Sequence, residues 1–312
     1  MKIIVLGSAA GGGFPQWNCN CSNCAGIRNG TVKATARTQS SIAVSSTPHE
    51  WVLFNASPDI LSQIKATPDL QPARLRRDSG IAAVMLTDAQ VDHVAGLLML
   101  REGRPLPLYC TDAVWNDLNT ALPLAKVLSC YCGVQWHPLP VADPADGRHP
   151  GHAAATAHEI DGLRITPIAI KSKAPPYSGN VSHPRVGDNI GFSIEELTTG
   201  KVLFYAPGLD DIHPQIDAAM RRADCLLVDG TFWTDDEMIQ LGFSKKKAKD
   251  MGHLPQSGTG GMIELLDEIG PKRKILIHIN NTNPILDENS AERALLARKG
   301  IEIAFDGMEI IL

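Results

Sequence analysis

The stretch from residue 81 to residue 98 constrains the fold of this chain more than any other. The apolar, partly β-branched run 81–86 indicates a buried strand, and apolar residues then recur at helical spacing over 91–98. Asp88, Asp92 and His93 fall in the turn between the two elements. Side chains converge in such a turn without being packed away, so we expect a ligand site there.

The residue types in this turn are those of a metal site. Imidazole and carboxylate ligands together suit zinc, manganese or iron(II). Alternatively, Asp88 and Asp92 cap the start of the helix and His93 is an ordinary surface histidine. The three residues alone leave both interpretations open.

Length and composition indicate an ordinary globular protein, which we expect to form one domain over residues 1–312. Hydrophobic residues make up 44% of the chain, charged residues 20%, and the net charge is −5. The acidic balance argues against a nucleic-acid partner. No apolar run reaches the roughly 20 residues that cross a bilayer, and residues 1–7 indicate a first strand rather than a signal peptide. We therefore expect a cytoplasmic protein, and the sequence leaves monomer and homodimer open.

Three of the seven cysteines, Cys19, Cys21 and Cys24, lie in one short segment. Thiolates at this spacing can surround a single tetrahedral zinc ion, so we predict a Cys-rich zinc-binding loop at about residues 14–30 with a structural role. Three thiolates need a fourth ligand. A redox pair or unrelated free thiols are the alternatives.

Residues able to bind a metal follow several predicted strands. They are Asp88 with Asp92 and His93 after 81–86, Asp210 or Asp211 after 201–205, Asp229 after 225–228, and His278 after 274–277. If these strands lie side by side, their ends place the side chains at one rim. The histidine-containing stretch 137–158 matches no ligand spacing, and we predict a solvated loop there.

The order Asp88-x-Gln90-x-Asp92-His93 resembles the His-x-His-x-Asp-His motif of the metallo-β-lactamase superfamily, with its first two histidines replaced. More narrowly, stretches 11–21 and 278–284 resemble those of the PqqB family of pyrroloquinoline quinone (PQQ) biosynthesis, and the resemblance spans nearly all of the chain. It implies a single-domain α/β fold, the metallo-β-lactamase-type αββα sandwich.

The resemblance also implies which metal ligands remain. Most ligands of the first of two metal positions are absent, and a lysine or serine (Lys171 or Ser172) replaces a further histidine. The residues expected to surround a single remaining metal are Asp92, His93, Asp211, His278 and Asp88. His93, His278 and a carboxylate, with Asp92 as first choice, form the triad of iron(II) oxygenases. In related phosphodiesterases a histidine completes the cysteine trio, and Asn281 occupies that position here.

We expect His253 and Asp229 to take part in catalysis, His253 by proton transfer, because a superfamily nuclease histidine has a similar position. The lysine run 244–249 is typical of a solvated face. Alternatively, together with Lys171, Lys173 and Arg185, it could bind the carboxylates of a small-molecule substrate.

The implied function is PQQ biosynthesis from a peptide-derived, cross-linked Glu–Tyr precursor. A metal-dependent oxygenation of its tyrosine ring is the first hypothesis. The alternatives are a carrier that binds PQQ or its precursor and assists transport to the periplasm, and a metal-dependent hydrolase. Loss of one metal position disfavours the hydrolase, because two-metal hydrolysis needs both ions.

Overall fold

The computed structural model describes residues 1–143, 156–270 and 272–312, which form two facing seven-stranded sheets with helices on their outer sides. The first sheet consists of β1 (Lys2–Gly7), β2 (Ser41–Ser45), β3 (Trp51–Phe54), β4 (Ile81–Met85), β5 (Leu106–Cys110), β6 (Val134–Pro138) and β14 (Glu309–Ile311), in the order β14-β1-β2-β3-β4-β5-β6. The predicted αββα sandwich is confirmed.

The second sheet has the order β13-β12-β11-β10-β9-β8-β7. Its strands are β7 (His158–Ile160), β8 (Leu163–Ala169), β9 (Ile190–Glu196), β10 (Val202–Ala206), β11 (Cys225–Asp229), β12 (Arg273–Ile277) and β13 (Ile301–Ile303). Strands β10 to β13 run parallel to one another. Their mainly apolar sequences fit this position, because parallel strands are covered on both faces.

Alternation along the strands sorts apolar side chains into layers. In β12, Ile275 and Ile277 point between the sheets, and Leu276 points outward to the helices. The helices are α1 (Ser22–Asn29), α2 (Ile60–Ala66), α3 (Val91–Val94), α4 (Asp112–Asn119), α5 (Leu124–Leu128), α6 (Pro214–Arg222), α7 (Glu237–Gln240), α8 (Met262–Glu268) and α9 (Ala291–Arg298). None of the helices described is long and apolar enough to cross a membrane.

The strands that end in polar residues do not all lie side by side as expected. Strands β10, β11 and β12 are neighbours, but β4 belongs to the opposite sheet. The end of β4 reaches the second sheet through the bridge between Asp88 and Asn189 and the hydrogen bond from Ile190 N to Thr87 O, 2.8 Å long. The rim is thus built across the sandwich rather than along one sheet.

The segment predicted as a Cys-rich loop is only partly a loop. Residues 22–29 form α1, which begins after Cys21, whose sulfur accepts a hydrogen bond from Cys24 N. The prediction missed this helix because the cap is a thiol instead of the usual hydroxyl or carboxylate. Gly30, with φ of 78°, ends the helix.

Two other segments need comment. Residues 258–269 predict a helix closed by Gly270 and Pro271. Helix α8 instead begins at Met262, because Gly258 and Gly260 have positive φ angles of 87° and 70° that do not fit regular helix geometry. Pro271 lies outside the described residues. In the stretch 137–158, His137 and His158 lie on β6 and β7, and residues 144–155 lie outside the described residues.

Candidate metal centre

Asp92, His93 and His278 meet at the rim between the two sheets. One ligand atom from each lies within 4.8 Å of the others. His278 Nε2 is 3.2 Å from Asp92 Oδ2, and His93 Nε2 is 3.8 Å from the same oxygen. Residues 186 positions apart thus converge on one point, and two imidazoles with one carboxylate can hold a divalent metal ion.

Asp88 fixes the orientation of His93 and does not join this group. Its two oxygens lie 2.9 and 2.8 Å from His93 Nδ1. The carboxylate therefore accepts the Nδ1 proton, which leaves Nε2 as the nitrogen that can bind a metal ion after losing its own proton. Nε2 is buried and has no hydrogen-bond partner among the described residues. Buried polar atoms in proteins normally have a hydrogen-bond partner, so a buried imidazole nitrogen without one is a candidate metal ligand.

Thr231 has the corresponding role for His278. Its hydroxyl lies 2.9 Å from His278 Nδ1 and donates to Asp229 Oδ1 at 2.6 Å, so it accepts the Nδ1 proton. His278 Nε2 then faces Asp92. His278 has a φ of 61°, a left-handed conformation that is uncommon for a residue with a side chain. The hydrogen bond from His278 Nδ1 to the Thr231 hydroxyl helps to hold the ring in place.

His253 and Asp229 form a second pair beside the metal ligands. His253 Nδ1 lies 2.7 Å from Asp229 Oδ2, and Asp229 is fully buried. The His253 and His278 rings stack with their centres 5.3 Å apart. Burial alone would lower the pKa of His253, but the Asp229 carboxylate outweighs it and raises the pKa. This is the arrangement of an oriented acid–base histidine.

Burial and opposite charges shift the pKa values of the candidate ligands in different directions. Burial lowers the pKa of His93, but Asp88 and Asp92 outweigh it and raise the pKa to about 9. Burial raises the pKa of Asp92, and His93 and His278 outweigh it and hold the pKa well below the ordinary value. For His278 burial dominates, and its pKa is lowered. A metal ion would therefore displace a proton mainly from His93.

The centre opens into a cleft of about 540 Å³. Polar and charged side chains other than the three candidate ligands line much of it, namely Asp88, Gln90, Ser172, Lys173, Asn189, Thr231, Ser244, Lys246, Asp250, His253 and Asn280. A cleft of this size with convergent polar groups and histidines of shifted pKa fits a small-molecule site.

The three predicted substrate-binding residues have different positions. Lys173 lines the cleft, and its Nζ donates to Asp250 O at 3.0 Å. Lys171 is exposed and does not line the cleft. Arg185 pairs with Asp188 at 2.9 Å and lies 3.6 Å from Asp117. Arg185 is therefore unsuited to substrate binding, since neighbouring aspartates already satisfy its guanidinium.

The side chains of the two consecutive aspartates after β10 also have different positions. Asp211, the predicted ligand, is exposed and is not part of the group. Asp210 turns inward, its Oδ1 is buried without a hydrogen-bond partner among the described residues, and burial raises its pKa to about 6. Consecutive residues in a non-helical segment point in different directions, so Asp210 turns into the protein and Asp211 toward solvent.

A second metal-competent cluster lies behind the cleft. The sulfurs of Cys19, Cys21 and Cys24 converge within 4.8 Å, and Cys21 and Cys24 are buried. Burial raises the pKa of Cys21 to about 11, whereas for Cys19 backbone and side-chain hydrogen bonds outweigh burial and lower the pKa. The three thiols thus meet as the spacing predicted.

Sequence reasoning missed Thr231 and named Lys246 only as part of the run 244–249. Thr231 lies two residues after Asp229, which ends a strand, and a hydroxyl at this spacing can donate a hydrogen bond to the carboxylate. This spacing of Asp and Thr is the sequence signal that could have identified Thr231. Lys246 was only one of several lysines in a run, and nothing in the run distinguishes it from its neighbours.

Comparison with known proteins agrees with this geometry. The model of the "Beta-lactamase superfamily domain" matches residues 50–279. Coenzyme PQQ synthesis protein B of Cupriavidus necator is 60% identical, covering 100% of this chain and 99% of that protein. The protein of the same name from Methylobacillus flagellatus is 58% identical over the full length of both chains.

Solved structures give the same result. The crystal structure of Zn²⁺-bound PqqB from Methylobacterium extorquens matches with 38% identity and a TM-score of 0.87 over 100% of both chains. A diphosphatase of the PhnP family shares the fold, with 18% identity and a TM-score of 0.65 over 99% of this chain and 96% of that one. The chain belongs to the PqqB family, the coenzyme PQQ synthesis protein B branch of the β-lactamase superfamily.

Proposed function

We propose that this chain acts in PQQ synthesis as a metal-dependent oxygenase that modifies the tyrosine ring of a cross-linked Glu–Tyr precursor. One observation carries the proposal, the convergence of His93 Nε2, His278 Nε2 and Asp92 Oδ2 on one point at the cleft. Two imidazoles and one carboxylate with open positions are the donor set of non-haem iron(II) oxygenases.

The residues present fit such an ion. His93 Nε2 has no other partner among the described residues, and Asp88 and Thr231 keep the protons of the two histidines on Nδ1. Iron(II) bound by His93, His278 and Asp92 would supply the binding and activation of dioxygen. Zinc also accepts these ligands, so the catalytic metal must be measured rather than assumed from a relative.

The other residues of the cleft have separate tasks. Lys173 and Lys246 place two positive charges along it and are suited to the precursor's carboxylates. His253, oriented by Asp229, can take a proton from the ring or its hydroxyl group. Hydroxylation inserts one atom of dioxygen and leaves the other as water, so it also needs two protons and two electrons from an added reductant.

We also propose that Cys19, Cys21 and Cys24 hold a structural zinc ion. Three thiols converge and two of them are buried, which suits a structural metal better than one that a substrate must reach. The chain would then hold two metals of different kinds, which elemental analysis of the purified protein can count.

A single assay tests the proposed activity. The iron-loaded protein is mixed anaerobically with the cross-linked Glu–Tyr compound and a reductant, and ¹⁸O₂ is admitted. A product heavier by one ¹⁸O atom is expected. Stoichiometric binding without conversion would instead indicate the carrier, and cleavage would indicate the hydrolase. Equal conversion with zinc in place of iron would overturn the iron-dependent mechanism.

A further inference from the structure

We propose that a second cavity binds a small molecule that carries two or more phosphate or carboxylate groups. The cavity has a volume of about 750 Å³ and lies at the end of the second sheet where β10 to β13 begin. The net charge of the chain is −5, yet positive charge is concentrated here. The charged side chains that line this lysine cavity are five cations and one carboxylate, namely Lys201, Lys272, Arg273, Lys274, Lys299 and Asp224.

The parallel strands explain why these side chains meet. Lys201 precedes β10, Arg273 and Lys274 begin β12, and Lys299 lies shortly before β13. Strands β10 to β13 are parallel neighbours, so their first residues lie at the same end of the sheet. His278 follows the other end of β12, which places it about 13 Å from Lys274 along the strand. The lysine cavity and the cleft share no lining residue and are separate sites.

Lys274 is the residue that points to an anionic ligand. It is only 7% exposed, because its strand lies between β11 and β13, yet it lines the cavity. Within the part of the chain that the structure describes, its ammonium group takes part in no hydrogen bond or ion pair. Burying a charged group without a partner costs free energy, so buried charges in proteins are normally paired. An anion that enters the cavity would supply the missing partner.

Lys272 is a second cation that has no carboxylate partner among the described residues. Its Nζ donates to two main-chain carbonyls at the end of α6, Met220 O at 3.4 Å and Arg221 O. Burial lowers the pKa of Lys272, and the nearby Asp224 offsets this effect only in part. Carbonyl oxygens stabilise an ammonium group but do not cancel its charge, so Lys272 can still attract an anion.

The other three cations are already paired with carboxylates. The pairs are Lys201 with Asp224 at 2.9 Å, Arg273 with Glu302 at 2.7 Å, and Lys299 with Asp267. Two positive charges, on Lys272 and Lys274, therefore remain without a negative counterpart. They suit a ligand with at least two anionic groups, such as a diphosphate or a tricarboxylate, because a lysine ammonium group pairs with either kind of oxygen.

The depth of Lys274 favours a small molecule over the surface of another protein. A side chain that is almost fully buried can be reached only by a group that enters the cavity. The volume of the cavity falls in the range of small-molecule sites, about 300–1,000 Å³. A protein partner would instead contact exposed cations such as Lys201 and Lys299, and its binding would not depend on Lys274.

The test titrates the whole protein by calorimetry at low salt with two probes, inorganic pyrophosphate and tricarballylate. We expect Lys274→Met, which fills similar space without the charge, to weaken binding about tenfold or more through loss of a charged hydrogen bond. Lys245→Ala is the matched control, because Lys245 is exposed and lies outside the cavity, and it should keep the parent affinity. Tighter binding of pyrophosphate would indicate a phosphate-bearing ligand, and tighter binding of tricarballylate a carboxylate-bearing one.

Thermal unfolding separates ligand binding from a structural role of Lys274. The probe that binds should raise the melting temperature of the parent but not that of Lys274→Met. Without a probe, the variant should be at least as stable as the parent, because it no longer buries an unpaired charge. A less stable variant that still binds the probe would overturn the inference, as would failure of both probes to bind the parent. Loss of binding in Lys173→Met but not in Lys274→Met would place the anion in the cleft and also overturn it.

Discussion

The two metal-competent clusters of this chain share one segment yet differ in almost every property. His278 belongs to the first cluster, Asn281 contacts the sulfurs of the second, and both lie in the segment after β12. The first offers nitrogen and oxygen atoms at the side of a cleft, and the second offers three sulfurs under α1. Catalytic metals need an open coordination position, and structural metals need none. The solvent accessibility of each cluster therefore distinguishes a catalytic from a structural metal site more clearly than the types of its ligands.

The orienting residues show the same contrast. In the cleft cluster, Asp88 and Thr231 hold the far side of each histidine, so the ligands keep their geometry when coordination changes. In the cysteine cluster, backbone N–H groups and Asn23 take this part. The first arrangement suits the proposed catalytic role, and the second ties the amino-terminal segment to the segment after β12. The predictions below test this division.

The largest expected effect is that of Cys24→Ser on folding. Loss of the structural metal should lower the free energy of unfolding by about 4 kcal/mol or more, since α1 and the segment after β12 lose their common anchor. Asp92→Ala should abolish metal binding in the cleft but lower the free energy of unfolding much less. Chemical denaturation with metal analysis checks both, and equal destabilisation by the two variants would contradict the division of roles.

Next in size is the effect of Asp88→Asn on metal affinity. An amide can present its NH₂ group to His93 Nδ1, which turns the histidine proton toward the metal, so binding at the cleft should weaken about 10- to 100-fold. Competition with a fluorescent chelator measures it. Asp211→Asn is the control, and its affinity should stay at the wild-type value because Asp211 is exposed. If Asp211→Asn also weakened metal binding, Asp211 would be a ligand after all.

The third prediction concerns pH. The metal-free pKa of His93 is raised to about 9, and that of His278 is lowered, so at neutral pH only His93 carries a proton that the metal must displace. Apparent affinity at the cleft should rise about tenfold per pH unit from pH 7 and level off near pH 9. Calorimetry in buffers of different ionisation enthalpy should detect about one released proton. A hundredfold increase in affinity per pH unit would instead show that both histidines are protonated before the metal binds.

The stability of the metal-free chain should fall as the pH rises, whereas the metal affinity of the cleft should increase. A histidine whose pKa is raised on folding stabilises the folded state fully below its unfolded pKa of about 6.5. This contribution should disappear as the pH rises through about 9. Thermal unfolding of the metal-free protein between pH 6 and pH 10 measures it, and His93→Gln provides the reference. Identical pH profiles for the two proteins would contradict the raised pKa.

The smallest expected effect is that of the cleft lysines. Replacing Lys173 and Lys246 together by alanine should weaken binding of a polycarboxylate precursor about three- to tenfold at low salt, and much of the difference should vanish at high salt. Lys245→Ala is the control, because Lys245 is exposed and does not line the cleft. An equal loss from Lys245→Ala would indicate that general surface charge attracts the ligand.

The sequence predicted the elements and the residues that meet at the rim better than the directions of individual side chains. The runs 81–86, 225–228 and 274–277 are apolar because both faces of their strands are covered, so their ends could be located and His278 identified. Whether Asp210 or Asp211 turns inward depends on the backbone after β10, and local patterns do not contain that information.

Two further differences have tertiary causes. Arg185 looked available for a ligand, but Asp117, distant in sequence, and Asp188 are placed beside it by the fold. Helix α1 begins with a cysteine cap, and the shape of the cysteine segment follows from the packing of its thiols against Asn281. Such pairings join residues far apart in the chain and appear only once the sheets have assembled.

The glycine run after β1 has a further consequence for the cleft. Gly11 borders the cleft, and a β-carbon built on it would lie 3.3 Å from Asp92 Oδ2. A methyl group there would press on the one carboxylate that both histidines approach. The absent side chain thus leaves Asp92 room to turn toward an incoming cation, and engineering that aims to stiffen this amino-terminal turn should spare position 11.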